Sequence, residues 1–408
     1  MSRREQSRTD QSFTDSLRQL AITTLRYSGD LVGYDLYSYD DIKNAKPEAI
    51  LHRMLSTKSY ISTTSSNAVE NQRAAEDVSQ QAFKDIGSGQ CGTVYALVGT
   101  SEVLKICKPG KEDVLFVDCQ MHVAIEEAFK AAPLHLHRNI ALTSAGEWAQ
   151  PDNAVFWSSY LEYFPQNFQP TYGLVSSRIF PLPYPVRAAL FDAFAPFDIQ
   201  QNRTVELSKA ESKDCLVRPY LGRRLGKFAR PAFRFRNFPL HVDDMEQLKL
   251  DTHHYAKVMA QALAIMHWQA GVDANDVEFV FGSSPKVKGL PSAKEMASSN
   301  KDDAKFKGQD LDFTHRSVSI WLLDFNQCKK ISKDGKDLKA MVNGFMFNDP
   351  YYPRPGSSDK KDAKLWDTFE KEYSSASQTL GYKSCAAEFL REVKSQYKKR
   401  SQGSSGLF

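Results

Sequence analysis

A chain of 408 residues can fold as one large two-lobed domain or as two ordinary ones, since a single hydrophobic core stops growing at roughly 250–300 residues. Its 41% hydrophobic and 12% aromatic content argues against a largely disordered chain, and a net charge of +4 does not by itself call for a nucleic-acid partner. Six scattered cysteines without a C-x-x-C pair support neither a zinc ribbon nor a disulfide scaffold. The polar start has no apolar leader segment and no run of eighteen apolar residues occurs, so the expected setting is cytoplasmic and away from membranes.

In chain order, residues 1–20 read as a disordered tail and 21–81 as a polar helical extension, with firm order expected from about Ala82. Val94 to Leu97 and Val103 to Ile106 are short β-type runs joined by a Gly99-Thr100 hairpin signal. Val123 to Ala132 has helical spacing and carries Glu126 and Glu127. Leu174 to Pro183 is extended and ends in a proline-rich connection, and Asp251 to Met266 is an apolar-periodic helix predicted to end before His267. Phe279 to Phe281 and Ile320 to Leu323 are strand-length apolar runs, separated by a polar stretch, 283–317, that reads as a flexible insert. Glu388 to Lys399 is a basic amphipathic helix, followed by a tail from 401 to 408. Short strands and longer helices in one chain predict an α+β fold.

The chemistry-bearing residues recur at intervals. Ile86 to Tyr95 reads IGSGQCGTVY, placing Gly87, Gly89 and Gly92 in a G-x-G-x-x-G-x-V pattern whose backbone N–H groups can approach phosphates without Cβ obstruction. An unliganded glycine-rich hairpin would look the same, so the motif is weak alone. Lys105 then stands on the next strand, where a lysine can neutralise phosphates while Glu126 or Glu127 pairs with it. After the helix ending MHW comes GVDANDVEFVFG, with Asp273, Asp276 and Glu278 ahead of a strand, and WLLDFNQC sets Asp324 at the end of another. Singly, these acids could cap turns in solvent.

In this order the elements resemble a protein kinase. That implies a two-lobed fold, with a β-rich N-lobe over 82–182, a mainly helical C-lobe over 183–400, and Gly87 to Gly92 facing Asp324 across a cleft. On that pattern Gly87, Gly89, Gly92, Lys105, Glu126 and Asp324 would hold ATP, and Asp324 would bind Mg²⁺. The chain departs from the pattern: it lacks H-R-D, Glu278 stands where kinases have asparagine, Asn326 replaces the glycine after Asp324-Phe325, and no A-P-E follows.

LVSSRIFPLP from Leu174, CLVRPYLGRR from Cys215, GVDANDVEFVFG, WLLDFNQC and NDPYYPRP from Asn348 together resemble a fungal domain family labelled "zinc finger protein-like". Through it the chain resembles the fungal arginine-containing cyclodipeptide synthases of secondary metabolism, which join arginine to a second amino acid from aminoacyl-tRNA and close a diketopiperazine. The resemblance implies partners, arginyl-tRNA and a second aminoacyl-tRNA, besides the amino-acid substrates. Asp273 and Glu278 become catalytic candidates, and Asp276 a supporting or substrate-binding acid. These acids could accept a proton from the attacking amine or pair with the arginine guanidinium. The segment from Arg218 to Arg236, with Arg218, Arg223, Arg224, Arg230, Arg234 and Arg236 and no acid, acquires a use in holding tRNA phosphates. Arg391, Lys394, Lys398, Lys399 and Arg400 could share it or form a solvated basic face. Two alternatives stay open: an ATP- and Mg²⁺-dependent small-molecule phosphotransferase, and a non-catalytic pseudokinase-like binding module.

Overall fold

Residues 36–37, 45–56, 60–63, 65–226, 233–287, 297–298, 300 and 311–404 are described by the structure, a computed structural model. The short helices Phe197–Gln200 and Arg203–Ser208 and the single-turn segments aside, the chain runs β1 (Leu36–Tyr37), α1 (Pro47–Leu55), β2 (Tyr60–Ser62), α2 (Ser66–Glu76), β3 (Phe83–Ser88), β4 (Gly92–Leu97), β5 (Glu102–Cys107) and α3 (Glu112–Ala131). It continues through β6 (Ala141–Leu142), β7 (Ala145–Ala149), α4 (Ala154–Tyr160), β8 (Gly173–Ser177), α5 (Tyr184–Phe194), β9 (Val217–Tyr220), β10 (Phe238–His241), α6 (Val242–Gln247) and α7 (Thr252–Ala264). Last come β11 (Glu278–Val287), β12 (Leu311–Leu323), α8 (Leu338–Phe347), α9 (Lys360–Thr379) and α10 (Lys383–Ser404). The fold is α+β, with two separate sheets.

The first sheet is antiparallel, in the order β3-β4-β5-β8-β7. Along β5 the two-residue period puts Leu104 and Ile106 against an aromatic cluster of Phe83, Trp157 and Phe164. Lys105 and Cys107 fall on the opposite face, where α3 lies. At the β4–β5 turn Gly99 has φ +84°, and a Cβ there would stand 2.5 Å from the backbone of Ala74 in α2.

The second sheet is mixed, in the order β1-β2-β12-β11-β9-β10, with β6 pairing to β12. Glu278 opens β11 and pairs across the ladder with Leu323, the last residue of β12. Glu278 and Asp324 therefore emerge at the same end of this sheet. β9 flanks β11, with Val217 opposite Phe281, and brings Arg218 to that end. Behind the sheet, α7 is capped by Asp251, whose carboxylate accepts from His254 N–H at 2.9 Å. Its buried stripe includes Tyr255, Met259 and Leu263, and meets the α9 and α10 residues Phe369, Tyr373 and Phe389 in the main core. No helix among the described residues is long and apolar enough to cross a membrane.

Several boundaries differ from the sequence reading. α7 does not stop before His267: it continues as a π-helical turn, Ile265–Ala270, closed by Gly271 at φ +66°. His267 is fully buried and bonds the Tyr373 hydroxyl at 2.8 Å, and burial pushes its pKa down to about 3, so the ring stays neutral. α3 begins at Glu112 rather than Val123, because exposed Val114, Phe116 and Val117 blur the apolar period of its first half. α2 falls within the stretch read as a polar helical extension, with Ser65 as its N-cap. The polar stretch 283–317 is strand at both ends, since β11 runs to Val287 and β12 starts at Leu311. Their ladder buries Ser283 and Ser317, which composition alone assigns to a loop.

Candidate active site

The two sheets meet where β5 and α3 of the first face the β11 and β12 ends of the second. Asp118 of α3 is the joint. Its Oδ2 accepts from Lys105 Nζ at 2.6 Å, and its Oδ1 accepts from Phe325 N–H at 3.3 Å. Asp118, not Glu126, is therefore the acid that reaches Lys105. Glu126 lies two turns further along α3, accepts from Ala145 N–H at 2.8 Å and pairs with Lys130. Burial works against the Lys105 charge, but Asp118 and Asp324 outweigh it and hold the ammonium protonated.

Across the joint lies a cluster of three carboxylates. Glu278 accepts from Arg218 Nη2 on both oxygens, at 2.5 and 2.6 Å. Burial pushes its pKa up to about 6; Arg218 pulls against this, and Asp324 and Asp276 add to it. Burial also raises Asp324, with Lys105 opposing and Asp118 and Asp276 reinforcing, and its Oδ1 is buried without a hydrogen-bond partner. Asp276 is raised by burial against the pull of Arg218, and accepts from Gln327 Nε2. The buried Tyr351 hydroxyl also lacks a partner, and burial followed by the charge of Glu278 raises its pKa. Three non-glycine residues here have left-handed backbones: Ala274 (φ +53°), Asp276 (φ +61°) and Asp324 (φ +66°). Such strain persists only where the surroundings over-determine it, and it gathers at working sites.

Asp273 is committed elsewhere. Its Oδ1 accepts from Lys329 N–H at 2.9 Å and Asn275 N–H at 3.2 Å, and its own N–H donates to Lys329 C=O at 3.0 Å. The carboxylate ties the acidic loop to the segment after β12, and burial raises its pKa against those two N–H donors. A Cβ on Gly344 of α8 would come within 2.4 Å of the Asp273 carbonyl, so the helix seats directly on this loop.

The glycine-rich hairpin lies over the same region. Cys91 at its tip is 3.8 Å from Asn326 Nδ2, two residues past Asp324. Its glycines serve different neighbours. A Cβ on Gly87 would meet Arg236 Nη2 at 2.6 Å, and one on Gly92 the Ile106 carbonyl at 2.7 Å, whereas Gly89 has only the Gly92 carbonyl at 4.0 Å. Arg236 Nη2 also donates to the Ile86 carbonyl at 3.0 Å. Gly89 alone has room for a side chain, and its backbone is engaged: its N–H donates to the Gly92 carbonyl at 2.9 Å and its carbonyl accepts from Lys108 Nζ at 2.5 Å.

The basic segment divides its work. Arg218 enters the carboxylate cluster, Arg236 braces the hairpin, and Arg224 donates to Glu246 at 2.8 and 2.9 Å and to Asp362 at 2.8 Å. Arg223 and Arg234 are exposed, and Arg230 lies outside the described residues. Among the described residues no group of three or more His, Cys, Asp or Glu is placed to hold a metal ion. Both oxygens of Asp118 and both of Glu278 already face donors, so the residues around Asp324 do not fit a magnesium–nucleotide pair as they stand. Asp324 Oδ1 remains a buried acceptor without a partner, among negative neighbours. Sequence reasoning missed Asp118 and Tyr351. One signal was present: Asp118, His122 and Glu126 recur every fourth residue on a buried helix face.

A family model described as a zinc finger protein matches residues 320–384, which carry Asp324, Tyr351 and the whole of α9. That stretch contains one cysteine, Cys328, and no histidine, and Cys328 is buried with its thiol on the Asn275 carbonyl at 3.5 Å. No curated protein matches the chain.

Proposed function

We propose that the chain is an arginine-containing cyclodipeptide synthase on a protein-kinase-like scaffold, a cytoplasmic enzyme of fungal secondary metabolism. It takes arginine and a second amino acid from aminoacyl-tRNA. The observation that carries this assignment is the cluster of Glu278, Asp324 and Asp276, three carboxylates sharing one guanidinium. It has one buried oxygen left open and a carboxylate whose pKa of about 6 suits a general base at neutral pH. In support of the scaffold, a glycine-rich hairpin begins a five-stranded antiparallel sheet, and a lysine on the third strand pairs with the next helix.

Asp324 Oδ1 receives the arginine guanidinium, and Glu278 takes the proton from the attacking α-amine. The amine nitrogen bonds to the ester carbonyl of the partner aminoacyl group, and the C–O bond to the RNA ribose breaks. Glu278 returns the proton to the leaving hydroxyl. The remaining α-amine then attacks the second ester carbonyl in the same way and closes the six-membered ring. Lys105 and Asp118 fix the hairpin side and the Asp324 backbone.

A second assignment, phosphotransfer from ATP, draws on Lys105 beside the glycine-rich hairpin, but needs the donors on Asp118 and Glu278 to move away first. One experiment separates them: incubate the purified chain with charged tRNAs, with and without ATP, and analyse the products by mass spectrometry. An arginine-containing cyclodipeptide formed without ATP supports the synthase. Nucleoside diphosphate release without cyclodipeptide overturns it.

A further inference from the structure

Two basic stretches far apart in the sequence line one groove of about 1160 Å³. The turn after β9 contributes Arg223 and Arg224, and α10 contributes Lys394, Lys398 and Arg400. At one end stands Tyr220, whose ring meets Tyr351 edge-on at 5.2 Å, beside the Arg218–Glu278 pair. The groove therefore leads into the carboxylate cluster.

Six Lys and Arg side chains line the groove against four carboxylates. Three of those carboxylates are already neutralised: Asp349 by Arg354 at 2.8 Å, Asp362 by Arg224 at 2.7 Å and Glu370 by Lys394 at 2.6 Å. Arg223 and Lys398 are exposed and form no ion pair among the described residues. The walls thus carry net positive charge on side chains with no carboxylate to hold them. The volume exceeds the roughly 300–1,000 Å³ usual for a small-molecule pocket, and an aromatic ring at the inner end suits a stacked base.

We propose that this groove binds the phosphate backbone at the 3′ end of an RNA and leads that end past Tyr220 to Glu278 and Asp324. The proposal rests on the aminoacyl-RNA chemistry assigned above and adds where the RNA lies. Arg223 and Lys398 contact phosphates, while Arg224, Arg354 and Lys394 shape the wall through their ion pairs.

The test uses the full chain and an uncharged tRNA acceptor-stem hairpin with its single-stranded 3′ end, followed by fluorescence anisotropy across a salt series. The Arg223→Glu/Lys398→Glu double variant, checked by circular dichroism, should lose at least tenfold in affinity at low salt. Its slope of log affinity against log salt should shrink by roughly one to two, because each phosphate contact releases about 0.7–0.9 of a counterion. A Lys209→Glu/Lys336→Glu double variant, at exposed positions that do not line the groove, matches the change in net charge and should change neither. Unchanged affinity and slope in the double variant overturn the proposal. So does displacement of the RNA by inorganic phosphate at equal phosphate concentration, which would mark a free-phosphate site. Because the RNA is uncharged, the two assignments fail separately. Cyclodipeptide synthesis by the wild type with unaltered RNA binding by the double variant overturns the groove alone. RNA binding lost in the double variant supports the groove even if the wild type makes no cyclodipeptide.

Discussion

The two sides of the candidate site treat their charges in opposite ways. On the Lys105 side, one ammonium meets one carboxylate, and both Asp118 oxygens are occupied by Lys105 and by Phe325 N–H. On the Glu278 side, three carboxylates gather around one guanidinium, Asp324 Oδ1 has no partner, and three residues hold left-handed backbones. A balanced pair is what a scaffold needs. An unbalanced cluster with a raised pKa costs stability and is retained where it can receive a cation or a proton. The chemistry is therefore assigned to the second side and the positioning to the first.

The largest expected effect tests that division on the reactive side. Glu278→Gln keeps the shape and an acceptor for Arg218 but cannot take a proton. Cyclodipeptide formation should fall 10²–10⁴-fold, the usual loss when a general base is removed. A variant that keeps more than about a tenth of wild-type turnover would move Glu278 from proton transfer to positioning.

On the balanced side the effect should appear in stability. Asp118→Ala removes the one carboxylate bonded to Lys105 and leaves the buried ammonium with only the charge of Asp324 opposite it, so urea denaturation should show a loss of up to about 3–5 kcal/mol. The Lys105→Met/Asp118→Leu double variant removes both charges and should recover most of that loss. Equal damage from the single and double variants would mean that Asp118 acts mainly through the Phe325 N–H bond.

A smaller effect lies in the pH profile. Glu278 must be deprotonated to act, so kcat/KM should fall as pH drops through about 6. Asp276→Asn removes a like charge and should move that limb to lower pH. Stability has the opposite sign. A carboxyl pKa raised above its unfolded value favours the folded state at low pH, and this contribution fades as pH rises from about 4.5 through about 6. Glu278→Gln should flatten stability across that window, which a urea series at several pH values reads directly.

Much of the site was legible because it sits where simple periods end. The apolar runs before Asp324 and after Glu278 mark strand ends, and the antiparallel register places the two acids together. The glycine-rich hairpin and the Lys105 strand follow from Gly99 and β-type alternation. What stayed hidden depends on tertiary register. Which α3 acid meets Lys105 turns on where that helix begins, and exposed Val114, Phe116 and Val117 disguise its first turns. The Arg218–Glu278 pair joins residues sixty positions apart through a strand neighbourhood that no local pattern announces. Asp273 has the spacing of a catalytic acid, yet three backbone hydrogen bonds with the segment after β12 and with its own loop claim it. The convergence of α10 with the turn after β9 on one groove also required the fold.

The central claim is that the carboxylate cluster receives a guanidinium at Asp324. Isothermal titration calorimetry with arginine methyl ester, which carries the side chain and the ester but no free carboxylate, measures this directly. Citrulline methyl ester serves as the neutral near-isostere. Wild type should bind the arginine ester at least tenfold more tightly than the citrulline ester, and Asp324→Asn should abolish the preference, since a planar cation gains most from an open carboxylate. Equal affinity for the two esters, or a preference that survives Asp324→Asn, would contradict the assignment.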